Sequence, residues 1–269
     1  MHLVKVNLFA ALSGFILGWT IGNLFLGVAF AALLVLAVQI WHMFATRFVL
    51  NHLNAVSLTQ ASSCNPIHRM FLGDAYKLAE QANMGRTQFS IIETDLPLAF
   101  SLGSRQSGGR IVVTSGLFKT LTRLEIASVI AHELGHIRAG ERAATGLLLS
   151  FSALLAKTGL FGWVHRANKG VSGLGNVLPF RRAGLTPECR ADAFAAALCK
   201  NTGILASALK KLERGIRASH WDGLETLPAL GRVAIVDPRH AYISSASPEI
   251  SPMAHRVAEL HRLQLAEAA

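Results

Sequence analysis

Residues 122–140 read TRLEIASVIAHELGHIRAG, and within them His132-Glu133-Leu134-Gly135-His136 spell H-E-x-x-H. Thr122 and Glu125 form a T-x-x-E capping box, which sets a helix start at about residue 123. Apolar residues recur at Leu124, Ile126, Val129, Ile130, Leu134 and Ile137, close to helical periodicity, so one face of this helix is expected to be buried. His132, Glu133 and His136 fall on the other, more polar face, and Gly140 stands where the helix would stop. Histidines at i and i+4 lie one turn apart on a single face. That spacing lets two imidazoles aim at one Zn²⁺, with Glu133 placed to take a proton from a zinc-bound water.

A catalytic zinc site takes three protein ligands and keeps a further position open. The extended H-E-x-x-H-x-x-G-x-x-H motif does not supply the third, because Ala139 and Arg142 stand at its Gly and final His positions. A ligand from further along the chain is required, and Thr186-Pro187-Glu188-Cys189-Arg190-Ala191-Asp192 offers one. Thr186 suits an N-cap, Pro187 a first helical residue, and residues 191–198 are rich in helix formers. Glu188 and Asp192 then share a helical face. Glu188 is the candidate third ligand, and Asp192 the candidate acceptor for the outer N–H of a ligating histidine. Cys189 and Cys199 are the rival ligands, although Cys189 points about 100° away from Glu188 on a helix. The expected centre is one Zn²⁺ per chain on His132, His136 and Glu188, with Glu133 as general base.

These residues resemble the M48 membrane metallopeptidases of the HtpX/Ste24 type. The stretches that match are Ala99-Phe100, then Ile111-Val112-Val113-Thr114-Ser115-Gly116-Leu117, then residues 125–136 reading EIASVIAHELGH. Glu188 to Asp192 matches the family's E-x-x-x-D, and Pro252, Arg256-Val257 and Leu260 its closing P-x-x-x-R-[IV]-x-x-L. The resemblance spans roughly residues 65–262. It implies an α+β, zincin-like, mostly helical domain with a small sheet, and zinc on His132, His136 and Glu188. It also implies endopeptidase activity in a membrane-protein quality-control setting. Leu98 stands where the family has Asn, and Ile250-Ser251 precede Pro252 where it has His-Pro. The M56 sensor-type membrane peptidases share similar features and supply an alternative, as does a zinc-binding membrane protein without turnover.

The chain is 51% hydrophobic, with a mean hydropathy of +0.39, which is high for a soluble enzyme. The excess lies at the N-terminus, where no Asp, Glu, Lys or Arg occurs between Lys5 and Arg47. One helix over residues 8–44 would run to roughly 55 Å, almost twice the hydrocarbon core of a bilayer. Two spans fit better, at about residues 3–21 and 24–44 with Gly22-Asn23 as the turn. The expected organisation is a transmembrane hairpin over residues 1–46 and a zinc metallopeptidase domain over 47–269. Lys5 and Arg47 flank the hairpin, which by the positive-inside rule makes the chain a multi-pass inner-membrane protein with a cytoplasmic catalytic domain. The competing expectation is a single anchor or a cleaved signal.

Cys64, Cys189 and Cys199 are odd in number and suit a reducing compartment. The net charge of +10 carries no aromatic interleaving, so protein or peptide substrates and the lipid bilayer are the expected partners, and nucleic acid is not. Ordinary solvated basic faces account for the charge equally well.

Residues 65–84 read as a helix with Ile67, Met70, Phe71, Ala75, Leu78 and Ala79 on one side. Residues 89–92 and 111–113 read as strands, and 97–103 as a third. A sheet edge beside the metal would let an extended peptide add through main-chain bonds and present its carbonyl to zinc. Residues 143–164 read as one buried or interfacial helix, and 162–184 as a Gly-rich lid. Residues 204–216 read as a basic amphipathic helix, and 252–265 as a terminal one. Tyr242, His220, His240, His255 and Arg256 are the candidate donors to an oxyanion.

Overall fold

Two long apolar helices open the chain in a computed structural model that describes residues 2–20, 23–59, 65–143, 145–157, 187–219, 230, 233–236 and 252–268. They are α1 (His2–Thr20) and α2 (Leu24–His52), and Asn23 caps the second by accepting the N–H groups of Phe25 and Leu26. They pack antiparallel with almost no space between backbones: a Cβ on Gly18 would lie 2.0 Å from the Cα of Gly27, and one on Gly14 2.7 Å from Ala31. Small residues at a helix crossing allow this approach. Among the described residues, α2 is the one helix long and apolar enough to cross a bilayer, while the apolar part of α1 is the shorter Val6–Thr20. Phe9, Trp19, Phe25, Leu33 and Met43 stand exposed along the pair. α2 does not stop at residue 44. It continues to His52, and Ala45, Val49 and Leu50 in its last turns are buried.

Those buried turns meet one face of a four-stranded mixed sheet. The strands are β1 (Val56–Leu58), β2 (Gln88–Ile92), β3 (Ala99–Leu102) and β4 (Arg110–Thr114), in the order β1-β2-β4-β3. β2 and β4 run parallel, while β1 pairs with β2 and β3 with β4 antiparallel. The three expected strands are present. β1, which is only three residues long and follows a turn at Asn54 (φ 51°), was not expected. The two-residue alternation of strands divides the core. Phe100, Leu102, Val112 and Ile92 pack with Val49, Leu50 and Leu149, whereas Phe89, Ile91, Ala99, Ile111 and Val113 pack with the helices on the other face. Both faces of the sheet are therefore covered.

On that second face lie α3 (Pro66–Gln81), α4 (Ser115–Thr120), α5 (Arg123–Ala139), α7 (Pro187–Cys199), α8 (Thr202–Ala218) and α9 (Pro252–Ala268), while α6 (Thr145–Lys157) packs beside α2. α5 contacts α3, α7, α8 and β3 and is the axis of the domain. The expected start and stop hold. The Thr122–Glu125 capping box is complete, and Gly140 takes a left-handed conformation at φ 70°. Leu124 is a correction, since it is 64% exposed rather than part of the buried face. So are Ile67 and Met70, which stand exposed at the rim of a groove between α3 and α5, while the unexpected Leu72 is fully buried. In α6, Leu149 and Ala153 are buried, whereas Leu148, Phe151 and Leu154 are exposed. Trp41 donates its indole N–H to Ser150 Oγ at 2.9 Å, tying α6 to α2. The expected lid over residues 162–184 lies outside the described residues.

Candidate metal centre

The polar face of α5 is buried as completely as its apolar face. His132 and Glu133 are 0% exposed and His136 1%, because α7 lies across them. Gly135 permits this crossing: a Cβ there would stand 3.2 Å from Ala191 Cα and 3.1 Å from the Phe194 ring. With the helices so close, Glu188 in the first turn of α7 reaches both histidines. His132 Nε2 lies 3.4 Å from Glu188 Oε2, His136 Nε2 lies 3.4 Å from Glu188 Oε1, and the two Nε2 atoms are 3.1 Å apart. His132, His136 and Glu188 form the one group able to hold a metal ion among the described residues.

The donor set fits a cation. His136 Nδ1 donates to Glu141 Oε2 at 2.7 Å, and His132 Nδ1 lies 2.8 Å from Asp192 Oδ1. With both outer nitrogens turned to carboxylates, the inner nitrogens present lone pairs to each other and to the Glu188 oxygens. With neutral imidazoles these are converging acceptors, costly when buried; a cation removes the cost, and in its place a proton on His132 does the same. Three ligands at zinc distances on a tetrahedron stand about 3.3 Å apart, which the observed separations match. Without the ion, burial works against a charged imidazole, yet the Asp192 and Glu188 carboxylates hold His132 up at about 9. Burial likewise opposes the Glu188 carboxylate, but both histidines and Arg256 hold it well below the usual carboxylate range.

Glu133 occupies a different environment. Its Oε2 accepts a hydrogen bond from Ser101 Oγ on β3 at 2.6 Å, and its buried Oε1 has no partner among the described residues. One oxygen is fixed and the other is free to receive a proton.

Asp192, the expected companion of a candidate ligand, lies 2.8 Å from His132 Nδ1, and Arg256 holds it from the far side. Arg256, a candidate oxyanion donor, is thus largely engaged by protein groups, and its Nη1 also lies 3.5 Å from Glu188 Oε2. Its Nε and Nη2 bind Asp192, and its Nη1 donates to the Ile235 carbonyl at 2.6 Å. His255 is exposed on α9, and His220, His240 and Tyr242 lie outside the described residues. Neither rival cysteine joins the triad; Cys189 is buried on another side of α7 and Cys199 ends that helix.

Three residues near the centre were missed. Glu141 folds back onto His136 just past the Gly140 cap and also pairs with Arg190. Its signal was its place directly after the helix stop, where the chain reverses. Ser101 carried no signal, since its role depends on a contact across 32 residues. Arg142 stands where the extended motif would have a third histidine. It is buried, with Nη2 3.7 Å from Glu188 Oε1 and no hydrogen-bond partner for Nε or Nη2 among the described residues.

A family model described as Peptidase family M48 matches residues 66–248, well over half of the chain.

Proposed function

The chain belongs to peptidase family M48, and from that premise we propose that it is a membrane-anchored, zinc-dependent endopeptidase. The observation that carries the reading is the triangle of His132 Nε2, His136 Nε2 and the Glu188 carboxylate beside a buried Glu133 with one oxygen unpartnered among the described residues. His132, His136 and Glu188 would hold the zinc; Asp192 and Glu141 orient the two imidazoles from behind. When bound, zinc polarises the scissile carbonyl and lowers the pKa of water towards about 7. Glu133 Oε1 accepts the proton of the attacking water and passes it to the leaving amine. β3 is one of the two outer strands of the sheet among the described residues and carries Ser101 against Glu133. Its outward Ala99 carbonyl and Gly103 N–H are already bonded to Ile235 and Arg142, so a substrate carbonyl would meet the catalytic carboxylate at Ser101 rather than along the whole strand.

Membrane attachment is supported by the length and composition of α2 and by the exposed apolar side chains of α1, α2 and α6. We propose that α1 and α2 both span the bilayer and that Lys5 and Arg47 keep the catalytic domain in the cytoplasm. The last turns of α2 pack onto the same sheet that carries Ser101. With α2 in the bilayer, this packing would hold the site close to the membrane surface, which supports a reading in which membrane proteins are among the substrates.

Detergent-purified protein should degrade an unfolded protein such as casein, stop when a chelator removes zinc, and recover when zinc returns. Zinc-loaded protein that cuts nothing would leave a binding role, and cleavage confined to one partner would favour a sensor peptidase. Reporter fusions at residue 50 and at the C-terminus should both report cytoplasm; a periplasmic C-terminus would overturn the hairpin.

A further inference from the structure

We propose that Ser101 is the positioning residue for Glu133, its hydroxyl fixing the carboxylate so that Oε1 alone is left for proton transfer. The inference rests on the peptidase reading above and adds to it a residue outside the H-E-x-x-H motif. β3 is buried throughout, and alternation turns Phe100 and Leu102 to the α2 side and Ala99 and Ser101 to the α5 side. Both residues facing α5 are small, which lets the helix lie close. Ser101 is 0% exposed, and a buried hydroxyl without an acceptor is costly. Its acceptor is Glu133 Oε2 at 2.6 Å, the distance of a charge-assisted O–H···O⁻ bond.

Among the described residues, Glu133 has no ion-pair partner and no hydrogen bond from any other side chain. Its orientation therefore depends on one hydroxyl. A lysine or arginine at this place would supply a counter-charge; a serine fixes the rotamer and leaves the charge unpaired. The serine is itself held. Ala99 accepts the Ile235 N–H at 3.1 Å and Gly103 donates to the Arg142 carbonyl at 3.0 Å, so the strand is anchored on both sides of Ser101. A site group must be supported by fixed neighbours to keep a productive geometry, and a displacement of about 1 Å costs on the order of 100-fold in rate.

The test uses the full chain in detergent with Ser101→Ala, Ser101→Cys and Ser101→Thr. Zinc content, melting temperature, KM and kcat are measured on a fluorogenic peptide, with the visible spectrum of the cobalt-substituted protein alongside. Ser101→Ala should keep its zinc and its KM and lose about 10- to 100-fold in kcat. Ser101→Thr should restore most of kcat, and Ser101→Cys, a weaker donor, should fall between. The cobalt spectrum of Ser101→Ala should move towards that of Glu133→Gln. Unchanged kcat in Ser101→Ala, or a loss of kcat that merely tracks lost zinc, overturns the inference. An inert wild type would instead defeat the peptidase reading, and the cobalt spectra would still decide Ser101. In that case a Ser101→Ala spectrum identical to wild type overturns it.

Discussion

Arg256 grips Asp192 through two parallel hydrogen bonds, Nε to Oδ2 and Nη2 to Oδ1, each 2.7 Å long. Asp192 Oδ1 in turn lies 2.8 Å from His132 Nδ1, so α9, near the end of the chain, reaches through Asp192 to a histidine of the candidate metal centre on α5. The Arg256 side chain is 8% exposed and that of Asp192 3%, which makes the pair expensive to break from one side only. Arg256→Met should cost about 3–5 kcal/mol of stability by leaving Asp192 buried and unpaired. It should also weaken zinc binding by about 10- to 100-fold. Arg256→Lys keeps the charge without the fork and should fall between. Thermal melts and chelator competition read both effects; an Arg256→Met protein with wild-type melting would contradict this role.

Substitutions around the centre should differ in kind. Glu188→Ala removes a ligand and should release most of the zinc, whereas Asp192→Ala should keep zinc with affinity reduced by about 10- to 100-fold. Cys189→Ser should do neither, since that thiol is not part of the triad. Zinc content of the three purified proteins separates them. Retention of full zinc by Glu188→Ala would remove the assigned third ligand.

Gly135 controls how closely α7 approaches α5. A Cβ there already crowds Ala191 and Phe194, so Gly135→Val must push α7 away and carry Glu188 with it. Overpacking of this kind costs about 1–3 kcal/mol. The loss should appear first as weakened zinc affinity and only second as a lower melting temperature. Wild-type zinc affinity in Gly135→Val would show that Glu188 is placed by something other than this crossing.

Glu125 links the start of α5 to α8. Its carboxylate accepts the Thr122 N–H at 2.8 Å and binds Ser207 and Lys211. Burial pushes the carboxyl up, but Lys211, the Thr122 N–H and Ser207 outweigh it and hold it at about 2, against an ordinary 4.5. A depressed carboxylate stabilises the fold above its unfolded pKa and ceases to do so as pH falls through its folded one. Glu125→Gln keeps the capping box but removes the charge that Lys211 binds, and should therefore lower stability by about 1.5–3 kcal/mol near neutrality, the range for hydrogen bonds to a charged group. The gap from wild type should close as pH falls from 4.5 towards 2. Melting curves across that interval check it, and a gap that widened on acidification would refute the sign.

Local chemistry made much of this legible in advance. The capping box, the Gly140 stop and the one-turn spacing of His132 and His136 are written within a single helix. Pro187 and the Glu188/Asp192 spacing announced the second helix of the centre in the same way. What was not legible depends on packing between distant segments. Hydrophobic periodicity assigned α5 one buried face, but a helix packed between other helices and the sheet buries both, while Leu124 at its open start stays exposed. The same limit applies to Ile67 and Met70, which have the right period but stand exposed among the described residues. Ser101 and Arg256 act through partners 32 and 64 positions away, and no local pattern reports that.

The central claim is that Glu133 is the base of a zinc peptidase, and Glu133→Gln measured beside wild type tests it most directly. The substitution keeps the shape and the Ser101 contact but removes the proton acceptor. Both proteins should carry one zinc per chain, and the variant should lose peptide-bond cleavage by on the order of 100- to 10,000-fold, the usual contribution of a general base. A Glu133→Gln protein that retains its zinc and cuts at the wild-type rate would contradict the account.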